Sequence, residues 1–267
     1  MNQSYDIIKR DLAAIGVCPG DFLVVHSSMR SMGWVEGGPE CVIRAMLDTL
    51  GEEGTLLMPT FTYESSYADS FFSHAHTPSC VGLLSETFRK TPGVYRTAHP
   101  THSVAIRGRL LGALISGEAE DDTPMGPHSP YRKLGAYGAK ILMLGCSLRH
   151  TSYLHALEEE GDLFYALRGH QTYTVVEADG RRHTRSVRRH NFNRADGALI
   201  QRYDRLLEIL GEGDFVRAPI HGADAVLIDA ARLREKALGK MKEAPLFFVD
   251  DPDGFYPEYR DGAQAQS

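Results

Sequence analysis

Apolar residues recur along this chain with the two periods that separate helices from strands. Ile7, Ile8, Leu12 and Ile15 stand three and four apart, which predicts an amphipathic helix over 5–15 that Gly16 closes. Behind Pro39, a residue suited to the first helical turn, Ile43, Met46, Leu47 and Leu50 repeat the stripe until Gly51 and Gly54. Shorter helices are predicted over 83–90, 110–115 and 131–137. Between them lie continuous apolar runs too short for helices, at 22–25 (FLVV), 55–61 (TLLMPTF), 103–106 and 140–145 (KILMLG), which read as buried strands. Pro59 puts the second of these at a sheet edge or at a strand end. Further on, 172–177 and 182–188 flank Asp179-Gly180, a strong hairpin signal. Leu199, Tyr203, Leu206, Leu207 and Leu210 predict a long helix, 223–238 another, and 247–249 a last short strand. Residues 62–80 are aromatic, polar and aperiodic, as an active-site loop or lid is, and the tail 261–267 is expected to fray. The fold class this implies is α/β: a three-layer α/β/α-like domain with a mixed central sheet and a later β-hairpin insertion. No repeat or linker divides residues 1–267, so one domain is expected, with the 171–190 hairpin as a small subdomain.

Composition narrows the function. A chain of 267 residues that is 42% hydrophobic has enough apolar material for a large core. Its net charge of −6 argues against a nucleic-acid binder and fits a cationic or small neutral ligand. Cys18, Cys41, Cys80 and Cys146 form no CxxC pair, so neither a zinc knuckle nor a disulfide framework is expected, and a reducing, cytoplasmic location is. The start of the chain has no apolar leader and no run reaches membrane length, so neither export nor a membrane partner is expected.

Candidate chemistry clusters where strands end. KILMLG stops at a glycine, and the short helix that follows, capped by Thr151 or Ser152, carries His155 and Glu158 on one face. A carboxylate beside an imidazole fixes the ring and stabilises the imidazolium, which is how a general base is supported. The same spacing suits an exposed polar pair above Leu154 and Leu157, so spacing alone does not decide. After the first strand, His26, Ser27, Ser28, Met29 and Arg30 lead to a helix start whose free N–H groups favour negative charge. That suits a pyrophosphate or the polar arm of a cofactor, although the chain has neither a P-loop nor a dinucleotide fingerprint. His74, His76, His99 and His102 carry the alternative of a metal-dependent hydrolase, but no acid stands at ligand spacing. The cation-dense run 181–190 reads as a phosphate clamp or a charged sheet edge, and Glu158, Glu159, Glu160 and Asp162 as a polyamine holder or a solvated face. GNAT acyltransferases carry an R/Q-x-x-G-x-G/A turn; the nearest run, RKLGAY from Arg132 to Tyr137, fails at its last position.

The segments VHSSMRSMGWVEGGPECVIRAMLDTLGEEGTLLMPTF, RTAHPTHSVAIRG, DTPMGPHSPYRKL, and KILMLGC followed by TSYLHALEE, resemble the aminoglycoside 3-N-acetyltransferase family in the same order. HGADAVLIDAARL is similar to that family's C-terminal helix segment, and the resemblance spans about residues 5–240. It implies a three-layer α/β fold unrelated to GNAT and transfer of acetyl from acetyl-CoA to an amine, with no metal. The family's LHxxE signature falls on Leu154, His155 and Glu158, implying the catalytic His and Glu. Its VHSS segment falls on His26, Ser27 and Ser28, implied near the thioester and pantetheine arm, and HPxxSV on His99, Pro100 and Ser103, implied beside the same cleft. The expected partner is a small-molecule amine, an aminoglycoside or a relative of one, and a homo-oligomer is compatible with the sequence. A hydrolase built on the loop histidines and a non-catalytic CoA-binding protein are the alternatives.

Overall fold

Apolar runs at the centre of the chain become strands buried on both faces in the computed structural model, which describes residues 2–190, 192–194 and 197–257. The order is α1 (Gln3–Ile15), β1 (Phe22–Ser27), α2 (Gly38–Leu50), β2 (Thr55–Pro59), α3 (Tyr63–Asp69), β3 (Phe71–Ser73), α4 (Leu83–Lys90), β4 (Tyr95–Arg96), β5 (Val104–Gly108) and α5 (Leu111–Ile115). There follow β6 (Lys140–Leu144), α6 (Tyr153–Glu160), β7 (Leu167–Val176), β8 (Arg182–His190), β9 (Asn193–Arg194), β10 (Gly197–Ala198) and β11 (Ile200–Gln201). The chain continues through α7 (Leu206–Ile209), β12 (Phe215–Ile220), β13 (Ala223–Asp229), α8 (Ala230–Glu243) and β14 (Val249–Asp250).

Seven strands make one mixed sheet in the order β12-β13-β6-β1-β2-β5-β4. β1 runs parallel to β2 and β6, with Val24 opposite Leu57 and Ile141, and the outer pairings are antiparallel. Alternate residues of a strand face opposite sides. Phe22, Val24, Ile141 and Val226 therefore pack against Leu154 and Leu157 of α6 and Leu233 and Ala237 of α8. Leu23, Val25, Leu142 and Ala225 meet α1, α2 and α4 through Ile8, Leu12, Val42, Met46 and Phe88. Helices on both faces give the three layers expected. β1 leads to α2 on one face and β6 to α6 on the other, so a crevice opens beyond the carboxyl ends of these neighbouring strands, where open α/β sheets bind ligands.

A second, three-stranded sheet, β3-β7-β8, carries its own small core of Phe72, Tyr173, Val175 and Val187. Its hairpin starts at Leu167, earlier than the expected 171–172, and the segment 62–80 is not irregular: it forms α3 and supplies β3, parallel to β7. Period-2 patterning over three residues is too short to read in sequence.

Other expectations are corrected. Residues 223–238 hold β13 and then α8, because Ala223, Ala225 and Leu227 are buried on one face and Val226 and Ile228 on the other, leaving no polar alternation to mark a strand. Asp229 caps α8 by accepting the Arg232 N–H. The long helix expected over 199–210 is broken into β11, a 3-10 turn at Tyr203–Arg205 and the short α7. Residues 131–137 form turns, not a helix, and β4 and β12 had no clear sequence signal. The last strand is Val249–Asp250, paired with β11. Pro59 closes β2, which is internal to the sheet, so of its two readings the strand end holds. Residues 261–267 lie outside the described residues. Among the described residues no helix is long and apolar enough to cross a membrane.

Candidate active site

Burial of Leu154 and Leu157 fixes the rotation of α6, each contributing roughly 1.5–3 kcal/mol. Neither Thr151 nor Ser152 caps the helix through its side chain; the Thr151 hydroxyl donates instead to the Leu148 carbonyl at 2.7 Å. With α6 so held, His155 and Glu158 meet, Nδ1 to Oε2, at 3.2 Å. Glu158 is fully buried, and Tyr203 and Tyr165 donate hydroxyl protons to its Oε2 and Oε1 at 2.6 and 3.1 Å. Tyr203 Oη also stands 2.8 Å from His155 Nδ1. Since the tyrosine has spent its only proton on Glu158, the ring must donate from Nδ1, and its lone pair is then on Nε2. Gln201 Nε2 lies 3.1 Å from that nitrogen, as a donor should. Burial, followed by the charge of Glu158, raises both tyrosines well above their ordinary range, which keeps them donors.

His155 lines a cavity of about 470 Å³ together with His26, Ser27 and Ser28 from the end of β1, Ser152, His102, His190, Phe192, Gln201 and Tyr203. Phe61, Tyr63 and Val81 supply an apolar wall, and Arg149 and Arg168 add positive charge. His26 is buried there, its Nε2 without a hydrogen-bond partner among the described residues. Burial, then the neighbouring His150, pushes its pKa down to about 3, so the ring is neutral. Ser28 gives its backbone N–H to the Leu144 carbonyl at 2.9 Å, and its hydroxyl lies 3.2 Å from that of Ser31, whose own proton goes to the Gly145 carbonyl at 2.6 Å.

His99 and Ser103 are not among the residues that line the cavity. His99 Nδ1 accepts the backbone N–H groups of Thr101 and His102 at 3.3 and 3.1 Å and so shapes its own loop. Ser103 is fully buried, donating to the Thr60 carbonyl at 2.8 Å and accepting from Arg96 Nε at 3.0 Å. Among the described residues no group of three His, Cys, Asp or Glu side chains is arranged to hold a metal ion, and His74 is bonded to the Arg96 carbonyl. The acidic run is only partly a solvated face: Glu159 is buried against His190 and Glu160 pairs with Arg234 of α8, while Asp162 is exposed.

The profile of the aminoglycoside 3-N-acetyltransferase family matches residues 24–242. The chain belongs to that family. It is 31% identical over 266 residues to aminoglycoside N(3)-acetyltransferase VII of Streptomyces paromomycinus, covering 88% of this chain and 90% of the relative. With aminoglycoside N(3)-acetyltransferase IV of a Salmonella species it shares 32% over 248 residues, 91% of this chain and 89% of that one. The crystal structure of aminoglycoside acetyltransferase AAC(3)-IVa, a histidine-to-alanine variant in complex with a gentamicin, superposes with a TM-score of 0.78 at 28% identity, covering 94% and 92% of the two chains. As a member of the aminoglycoside 3-N-acetyltransferase family the chain is an acyltransferase.

Tyr203, Gln201 and His190 were not singled out in the sequence. A tyrosine within an apolar stripe was the one available signal, because a buried phenol needs a hydrogen-bond partner. His190 was hidden at the end of a strand that reads as a charged edge.

Proposed function

We propose that the protein moves an acetyl group from acetyl-CoA to an amine of an aminoglycoside or a related amine-bearing small molecule, with His155 as general base and Glu158 as its orienting carboxylate. The observation that carries this reading is the hydrogen bonding of His155, which ties up Nδ1 with Glu158 and Tyr203 and makes Nε2 the acceptor at the cavity, where the amine must take the place of the Gln201 amide that now donates to it. A protonated amine is not a nucleophile; Nε2 takes the proton that the amine must lose as its bond to the acetyl carbon forms. Glu158 then faces the positive charge that the ring acquires.

Acetyl-CoA supplies an activated acetyl group with a thiolate as leaving group. The neutral His26, with its unpartnered nitrogen, and the Ser27 and Ser28 hydroxyls suit the amide-rich pantetheine arm, and these are the residues we assign to it. The Ser28 hydroxyl, which can turn its proton from Ser31 into the cavity, is a candidate donor to the developing oxyanion; its backbone N–H is already engaged. His99 and Ser103 act at one remove, by holding the segment that presents His102 to the cavity. The gentamicin bound to AAC(3)-IVa makes aminoglycosides the first acceptors to test. Four unpaired thiols fit a reducing cytoplasm.

Thiol release with acetyl-CoA and a panel of aminoglycosides and simple amines tests the reading. His155→Ala is expected to fall to background while calorimetry still detects acetyl-CoA binding; retained turnover rejects His155 as the base.

A further inference from the structure

A second imidazole lies flat against the first. His190, at the end of β8, is parallel to His155, with ring centroids 4.3 Å apart and planes 16° apart. Its Nε2 stands 2.8 Å from Glu159 Oε1, an atom that also accepts the Met125 N–H at 3.0 Å. Glu158 and Glu159 are consecutive on α6, so neighbouring carboxylates serve the two rings in turn. His102 closes on His190 edge-on at 4.8 Å, its own Nδ1 held 2.8 Å from Thr101 Oγ1. The acyl transfer derived above uses neither His190 nor Glu159.

We infer that His190, anchored by Glu159, is a positioning residue for the general base: it is the face on which the His155 ring is held and against which the ring's charge is formed. The inference rests on His155 being the base. Two imidazoles at this separation cannot both be charged without strong repulsion, so the stack holds at most one charge. Burial, and then the charge of His155, holds His190 well below the ordinary histidine range, and burial does the same for His102 and His99. Of the two rings, His155 alone faces the Glu158 carboxylate and the Tyr203 hydroxyl. Among the described residues the ionisable groups around the pair include Glu158 and Glu159 on α6, Tyr203, and His102 with His99 on the adjoining segment, with Arg132 acting on Glu159 and Arg168 lining the same cavity; of these Glu159 is raised by burial. A neutral, polarisable ring is a favourable neighbour for the cation, and it closes one face of the base to water.

The test is kcat and KM against pH for His190→Ala and His190→Phe, with His155→Ala beside them. His190→Ala is expected to lower kcat about 10- to 100-fold, with KM for acetyl-CoA changed less than about threefold. Its acid limb should move to lower pH, because the imidazolium of His155 loses the ring against which it forms. His190→Phe keeps a ring in the same volume and is expected to recover most of kcat, and it serves as the test if the alanine variant fails to fold. An alanine variant with wild-type kcat and an unshifted profile overturns the inference, as does a folded phenylalanine variant with kcat lowered tenfold or more. Turnover in His155→Ala is a different result, and it removes the base assignment itself.

Discussion

Tyr203 gives its hydroxyl proton to Glu158 across 2.6 Å while standing 2.8 Å from His155 Nδ1, so one residue closes a ring of hydrogen bonds around the imidazole and its carboxylate. An ionised carboxylate is costly to bury unless it is paired and hydrogen-bonded. Glu158 has two tyrosine hydroxyls and one imidazole to meet that cost, and no solvent. The arrangement sets the ring plane, the tautomer and the direction in which Nε2 points.

Changing Glu158→Gln keeps the shape but removes the charge that faces the imidazolium and allows the amide to favour the wrong tautomer. We expect kcat to fall at least about 100-fold, and about 10-fold for Tyr203→Phe, which leaves the carboxylate in place. Steady-state kinetics with a saturating acceptor measures both. Full kcat in Glu158→Gln would rule out the orienting role.

The centre of the fold was legible because β1, β2 and β6 are unbroken apolar runs ended by turn residues, and α1 and α2 carry regular stripes. Legibility failed where burial on both faces erased the period, as in β13, and where tertiary pairing overrode a local pattern, as at Tyr203, whose apolar neighbours imitate a helix. The site divides in the same way. His155 and Glu158 are three residues apart, and the order of motifs raised them above an ordinary helix pair. Gln201 and Tyr203 come from 46 and 48 residues beyond His155, brought there by the pairing of β11 with β14 and by packing under α8. No local spacing encodes such a meeting.

Buried neutral histidines give stability a defined pH window. His26, His99, His102 and His190 are all lowered by burial, His26 to about 3. The unfolded chain binds a proton at each near pH 6.5 and the folded chain does not, so each removes up to about 1.4 kcal/mol of stability per pH unit as pH falls below that value. Glu118 and Glu159, raised by burial, have the opposite sign and offset part of this loss as they take up protons in the folded state. Glu86 is pushed up by burial but brought to about 2 by Arg89 and Lys90, and its contribution is lost only below the ordinary carboxylate range. Urea melts between about pH 7.5 and 5.5 should show the midpoint dropping steeply below about pH 6.5. A flat midpoint over that interval would mean that the histidines are not held neutral.

Gly145 is where the Ser28 side of the cavity depends on the absence of a side chain. It ends β6 at φ 65°, and a Cβ there would stand 2.6 Å from Ser31 Cβ, whose hydroxyl donates to the Gly145 carbonyl at 2.6 Å. Gly145→Ala must therefore strain the backbone and also push away the turn that carries Ser28. Gly138 has nearly the same φ, 61°, with nothing within 4 Å of an added Cβ, and isolates the backbone cost. We expect Gly138→Ala to lose about 1 kcal/mol with KM for acetyl-CoA unchanged. Gly145→Ala should lose about 2–4 kcal/mol and raise that KM severalfold, because Ser28 moves with Ser31. Thermal melts and donor titrations on the two variants compare the effects directly. Equal losses and equal KM values would show that the close approach of Ser31 to Gly145 does not hold the Ser28 wall in place.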